Sequence, residues 1–473
     1  MAEKAPDLEL SEEEMRGLVA RAMDRIVAHV ATLAAQPAAD VAGAAEVARS
    51  LAEPRPPEAG VPFSEILSLL FDKAIPTSFN SAGPGYLAYI PGGGLFASAV
   101  ADLISDSVNR YTGVWAAAPA LVQLEANVIR WFCAMVGYSQ SSGGILTSGG
   151  SLANFSAVVA ARTERLGEDF LRGTAYASWE AHHSVGKAMA LAGFPASAFR
   201  QIPVDSRFRI EIDELRAAVR SDRERGLEPF LVVANAGSTS TGAVDDLVGL
   251  AELCAEEALW LHVDGAYGGF FLLTERGQEA LSGIDRADSV VLDPHKGLFL
   301  PYGTGCLVVK DQGALLRSHR SVASYLPELH QGEGFVDFCE LSPELSRAFR
   351  GLRAWLPLKL HGIAPFRRQL DEKLDLAREA TEGLRRIPGI EIVAEPQLTV
   401  TAFRLRRPGL PRAETDSMNR ELLARVNSLG RVHLSGTTLP LGFVLRVCIL
   451  SYRTHMDRVL SLLEDVAREA ASL

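Results

Sequence analysis

The run Ser289-Val290-Val291-Leu292-Asp293-Pro294-His295-Lys296-Gly297 brings a lysine to the end of an apolar, strand-like stretch. A turn carrying Pro294 and Gly297 follows, and a second apolar run, Gly305 to Val309, comes soon after. An amine caught between two buried strands loses water, and desolvation lowers its pKa toward the range where it is nucleophilic. Lys296 therefore has the setting of a Schiff-base lysine. A surface lysine on an ordinary turn fits this stretch as well, so a second stretch must decide. Trp260 to Gly269 reads as a buried strand ending in Asp264, with small residues just beyond. A carboxylate at the end of a buried strand is costly unless paired. A pyridinium nitrogen is one suitable partner, because the ion pair keeps the ring protonated and hence an electron sink. Asp264 with Lys296 is the pair expected of a pyridoxal phosphate (PLP) enzyme. The structural alternative is a helix cap at Asp264.

Two further constellations lie upstream. Gly143 to Asn154 is a Gly/Ser turn leading into an Ala-rich helix predicted over Leu152 to Arg165. Amides of a small-residue turn, the Ser151 hydroxyl and the positive end of a helix make an anion site that suits a phosphate; an ordinary loop with Ser151 as N-cap is the alternative. His182 sits where a strand, Thr174 to Ser178, gives way to a helix, and is placed to lie over a flat ring. Pro229 to Gly242 is another buried strand ending in a polar turn that carries Thr239. Each candidate alone has a bland explanation. An anion turn, a ring-facing histidine, a ring-nitrogen acid and a Schiff-base lysine in one unit support one another.

The elements that must position them alternate strand and helix from Gly144 to Lys310, with each polar group at the C-terminal end of a strand, where parallel α/β sheets bind ligands. The sequence divides into an N-terminal helical segment (1–82), a large cofactor-binding domain (83–355) and a small C-terminal α/β domain (356–473). Ser11 and Glu14 form a capping box for a helix with Met15, Leu18, Val19, Ala22, Met23, Ile26 and Val30 at helical spacing. The Pro84–Gly94 loop, ending Gly92-Gly93-Gly94, lets backbone approach a ligand closely. At 473 residues the chain can bury a large core. A net charge of −11 argues against nucleic-acid or anionic-membrane partners. Five scattered cysteines without metal spacing point to reduced core thiols and no metal site. An acidic N-terminus and the lack of any apolar run of spanning length point to a cytoplasmic protein.

His262-Val263-Asp264-Gly265-Ala266-Tyr267 and Asp293-Pro294-His295-Lys296 resemble the H-V-D-A-A-Y/F/W and N-P-H-K motifs of the group II PLP-dependent amino-acid decarboxylases, which include the aromatic-L-amino-acid and glutamate decarboxylases. The likeness runs from about Gly83 to the C-terminus and suits the N-terminal helices. It implies a fold-type I (aspartate aminotransferase-like) α/β architecture with a mostly parallel central sheet and a homodimer. It further implies Schiff-base attachment at Lys296, ring-nitrogen contact from Asp264, ring packing from Ala266 and His182, and Gly150, Ser151 and Thr239 around the cofactor. His295 would contact phosphate or substrate. The sequence departs from animal members at Gly297, where they carry Trp, and at Gly92 to Gly94, so the resemblance carries over no particular amino acid as substrate.

The reaction implied is decarboxylation of an L-amino acid to the amine and CO2. Aminotransferase or lyase chemistry on the same scaffold, and non-catalytic PLP binding, are the rivals. In the family a mobile loop carries a Tyr that protonates the carbanion left by CO2. Aligning His330-Gln331 and Ala348 to Trp355 places Phe338 there, and Phe has no proton to give. Members with Phe at this position resemble aldehyde synthases, in which molecular oxygen intercepts the carbanion. Tyr325, His330, His182 or water are the alternative donors.

Overall fold

The computed structural model describes residues 8–320 and 335–473; Tyr325 and His330 lie outside them. Runs of β-branched and aliphatic residues form the core strands. β1 (Gly143–Thr147), β2 (Gly173–Ser178), β3 (Phe199–Ile202), β4 (Glu228–Asn235), β5 (Trp260–Asp264), β6 (Ser289–Leu292) and β7 (Gly305–Val309) make one sheet in the order β1-β7-β6-β5-β4-β2-β3. All five residues of β5 and all four of β6 are buried, as strands covered by helices on both faces must be. β3, β2, β4, β5 and β6 run parallel, whereas β7 is antiparallel to both β6 and β1. That exception follows from the short connection after Lys296, which returns the chain without a crossover helix.

Register sets the site. Asn235 at the end of β4 is the partner of Asp264 at the end of β5, and Asp264 is the partner of Val291 in β6. Three adjacent strands thus end side by side, and Lys296 follows on a short helix, Pro294–Gly297, rather than the expected open turn. The anion-turn helix begins at Gly150 and runs to Arg165.

A second, antiparallel sheet of β8 (Ile390–Ala394), β9 (Val400–Leu405), β10 (Ser435–Leu439) and β11 (Gly442–Cys448) lies toward the C-terminus in the order β10-β11-β9-β8. The Ala364–Arg385 and Met456–Ala471 helices pack with it around a separate apolar cluster. The N-terminal helix, Glu12–Thr32, has its capping box in place but no buried residue. The glycine loop turns inward: a Cβ on Gly92 would collide with the carbonyl of His295. Its bare backbone supports the lysine segment. Among the described residues no helix is long and apolar enough to cross a membrane.

Candidate active site

A cleft of about 300 Å³ opens at the C-terminal ends of β4, β5 and β6. Gly150, Ser151, His182, Thr239, Asp264, Ala266, His295 and Lys296 all line it. Phe338 does not. Its ring is 1% exposed, sits in the main core and lies under the Arg347 guanidinium at 4.9 Å. The structure therefore separates Phe338 from the other candidates, because an apolar ring with a core to enter stays there rather than on a substrate loop.

Lys296 Nζ lies 2.8 Å from Asp293 Oδ2, with the lysine side chain 24% exposed and that of Asp293 2% exposed. Burial works against the ammonium, but the charge and hydrogen bond of Asp293, helped by Asp264, outweigh it. They hold the amine above the ordinary lysine range. This corrects the reading that desolvation lowers the pKa of Lys296: the sequence shows the strands, whereas the carboxylate three residues earlier sets the sign. Asp293 Oδ1 has no hydrogen-bond partner among the described residues.

Asp264 is 8% exposed. Its Oδ1 accepts from the Ala266 backbone N–H at 3.2 Å and its Oδ2 from Asn154 Nδ2 at 2.9 Å. The pKa of His182 is pushed down by burial, with His183 and Lys296 adding to this against the pull of Asp264 and Asp293. His295 donates from Nδ1 to the Thr304 carbonyl at 2.6 Å, and burial lowers its pKa too. A Cβ on Gly150 would come within 3.0 Å of Asp293 Oδ2 and 3.3 Å of the Ala266 Cβ, so glycine keeps the mouth of the anion turn clear.

Sequence reasoning passed over four residues that line the same cleft: Asn154, Ser184, Asn235 and Asp293. Spacing held the signal for two of them. Asn154 follows Gly150 by one helical turn and so shares its face, and Asp293 precedes Lys296 by three residues on the Pro294–Gly297 turn. Asn235 is held by Asp245, which accepts from the Asn235 backbone N–H, its Nδ2 and the Ile210 N–H. Burial nonetheless pushes the Asp245 carboxyl up to about 6.

The residues fit PLP: an amine to carry its aldehyde carbon, a carboxylate for its ring nitrogen, an imidazole and an alanine beside the ring, and a 16-residue helix whose open N-terminus suits its phosphate. The pyridoxal-dependent decarboxylase conserved domain matches residues 57–406. The chain belongs to that family. It is 35% identical over 462 residues to an aromatic-L-amino-acid decarboxylase of Bacillus atrophaeus, covering 97% of this chain and 96% of that one. A 4-hydroxyphenylacetaldehyde synthase of Rhodiola rosea is 29% identical over 86% of this chain and 86% of its own. Among solved structures, Oryza sativa TDC with PLP and tryptamine superposes with a TM-score of 0.93 at 26% identity, covering 99% of both chains. The fold-type I α/β architecture holds, PLP is the cofactor, and the enzyme is an amino-acid decarboxylase.

Proposed function

We propose that this decarboxylase converts an aromatic L-amino acid to its amine. The reading is carried by the convergence of Lys296, Asp264 and His182 on one cleft, and is supported by the aromatic-L-amino-acid decarboxylase that matches 97% of the chain. PLP, when bound, supplies the sink for the electrons of the breaking bond to the carboxylate. Lys296, its amine facing the cleft beside Asp293, would hold the cofactor's aldehyde carbon. Asp264 keeps the ring nitrogen protonated, and its two accepted hydrogen bonds fix the carboxylate where that charge is needed. His182, half-buried at the cleft and with its pKa pushed down, would lie over the ring and donate a hydrogen bond without adding charge to the cleft. Gly150, Ser151 and Thr239 would hold the phosphate end, with His295 flanking the lysine.

The aldehyde product rested on Phe338, and a ring buried beneath Arg347 gives that reading no support. The test is incubation of purified protein with L-tryptophan, L-tyrosine, L-phenylalanine and L-glutamate in air. CO2 with amine from the aromatic substrates is expected. Stoichiometric peroxide and aldehyde would replace the amine product, and turnover of glutamate alone would refute the aromatic class.

The enzyme works as a homodimer in this proposal. The Glu12–Thr32 helix buries none of its residues and leaves Met15, Val19 and Val27 exposed; Ile66, Leu69, Leu103 and Ile104 are also exposed on helices of the first 110 residues. So many uncovered aliphatic groups suit a second copy. Sedimentation at assay concentration checks this, a fully active monomer being the contrary result.

A further inference from the structure

Behind the cleft, a chain of buried polar groups runs from Trp260 to His182, and each hydrogen bond in it has only one workable direction. With Asp264 ionised, as its ring-nitrogen role requires, its Oδ2 can only accept. The Asn154 group facing it at 2.9 Å is therefore the amide nitrogen. That fixes the flip of Asn154 and turns its oxygen toward His262 Nε2, 2.9 Å away. An amide oxygen only accepts, so His262 carries its proton on Nε2.

Burial lowers the pKa of His262 to about 4, leaving a neutral ring whose Nδ1 must accept. Its donor is the Ser289 hydroxyl at 2.7 Å, and Ser289 Oγ in turn accepts from the Trp260 indole N–H at 2.8 Å. On the other side the second N–H of Asn154 goes to Ser184 Oγ at 2.9 Å. Ser184 Oγ lies 2.7 Å from His182 Nδ1, and the Ser184 backbone N–H, which can only donate, points at the same nitrogen from 3.3 Å. His182 Nδ1 is thus an acceptor, and the proton of the neutral ring sits on Nε2. Trp260, Ser289, His262, Asn154 and Ser184 are each 5% exposed or less, so water offers no alternative partners.

We propose that Asn154 is a positioning residue that links Asp264 and His182 into one network of fixed polarity, orienting the carboxylate and the Ser184 hydroxyl, which together with the Ser184 backbone N–H holds His182 in its Nε2–H tautomer. One amide thereby serves both groups that face the cofactor ring: its two N–H bonds go to the acid and to the serine that holds the histidine. The consequence is specific to the reaction. A histidine fixed this way offers the cleft a hydrogen-bond donor and no lone pair, so it can hold an anionic substrate group by a hydrogen bond but cannot remove a proton from one. The charged and titratable groups that act on it are Asp264, His183, Lys296 and Asp293. The proposal rests on the reading that Asp264 and His182 flank PLP.

The experiment uses holoenzyme labelled with 15N-histidine, with His182→Gln identifying the His182 signals among the ten histidines. Solid-state 15N spectra at pH 7 should show His182 and His262 both neutral with Nε2 protonated. A proton on Nδ1 of His182 in the wild-type enzyme overturns the proposal without any further variant. In Asn154→Leu, similar in shape but without the amide, the Ser184 backbone N–H should still hold His182 as Nε2–H, while His262 loses the acceptor that fixes its own proton and should become a mixture of tautomers. The variant's kcat should fall by about 10- to 100-fold, the usual range for loss of an orienting partner, with KM changed less than about threefold. His262→Leu should resemble it, and His262→Gln, which can donate at one end and accept at the other, should recover most of the loss. An Asn154→Leu enzyme with normal kcat and His262 still held as Nε2–H sinks the positioning role. Asp264→Asn separates this failure from failure of the underlying reading: if it alone is inactive, the reading stands and the network role falls, and if it is fully active, the reading itself is wrong.

Discussion

Two buried ion pairs in this molecule look alike on paper and do opposite things. Glu125 and Arg347 join the Pro119–Val136 helix to the segment ahead of the Arg350–His361 helix, with side chains 0% and 1% exposed. Glu125 also accepts from the Gly351 N–H at 3.1 Å, and Phe338 covers the guanidinium. Among the described residues the pair is closed off from solvent. Asp293 and Lys296 are paired as closely, but the lysine opens on the cleft. A buried pair closed on all sides is a fastening whose loss is felt as stability. A pair with one open face is a charge held ready for a reactant, and its loss is felt as chemistry.

The comparison is broken most directly at Lys296. Lys296→Ala should abolish turnover and the pyridoxyl adduct that borohydride fixes on the wild-type enzyme, while unfolding of the apoprotein stays cooperative. An adduct on a different lysine, found by peptide mapping, would end the assignment. Arg347→Met should do the reverse. It leaves a fully buried carboxylate with little beyond the Gly351 N–H, a change that costs about 3–5 kcal/mol. Urea midpoints should report that loss while kcat of the folded fraction stays near wild type; a midpoint within error of wild type would mean that the closed pair is no fastening. Asp264→Asn sharpens the chemical side. It keeps the shape and removes the charge, so kcat should fall by about 10²–10³, or ~2.7–4 kcal/mol in barrier, with unchanged cooperativity of unfolding.

The contrast also shows what the sequence made legible. Strands β4 to β7 could be read because their Val, Leu and Ala runs end at polar turns, and the alternation with helices placed Lys296, Asp264, His182 and Thr239 at strand ends. The antiparallel direction of β7 was not readable, since a short loop after a short helix gives no periodic signal. Asn154 and Asp293 lay in runs that attracted notice for other residues, and their importance comes from contacts with Asp264 and Lys296, fixed only when the strands align. Phe338 stands apart: the motif alignment gives it a substrate-facing role, and in this chain its ring lies beneath Arg347 and away from the cleft.

The smallest expected effect is the finest test of the open pair. Burial alone would lower the Lys296 pKa, and Asp293 reverses the sign. Because the folded pKa lies above the unfolded one, the stability contributed by the pair is fully present below the ordinary lysine value of 10.5 and is lost only as pH rises through the folded pKa. Near neutral pH the pair is therefore intact, and the amine is protonated in the apoprotein. Attachment of PLP needs the neutral amine, so its rate should climb with pH into the alkaline range. Asp293→Asn removes the charge and leaves burial as the main influence, aided by the amide's weaker hydrogen bond. The climb should then move to lower pH, and at pH 7 the variant should take up PLP faster than wild type, as followed by the absorbance of the bound cofactor. A profile that moves to higher pH, or does not move, would show that Asp293 does not set the protonation of Lys296, and the distinction between open and closed pairs would lose its chemical half.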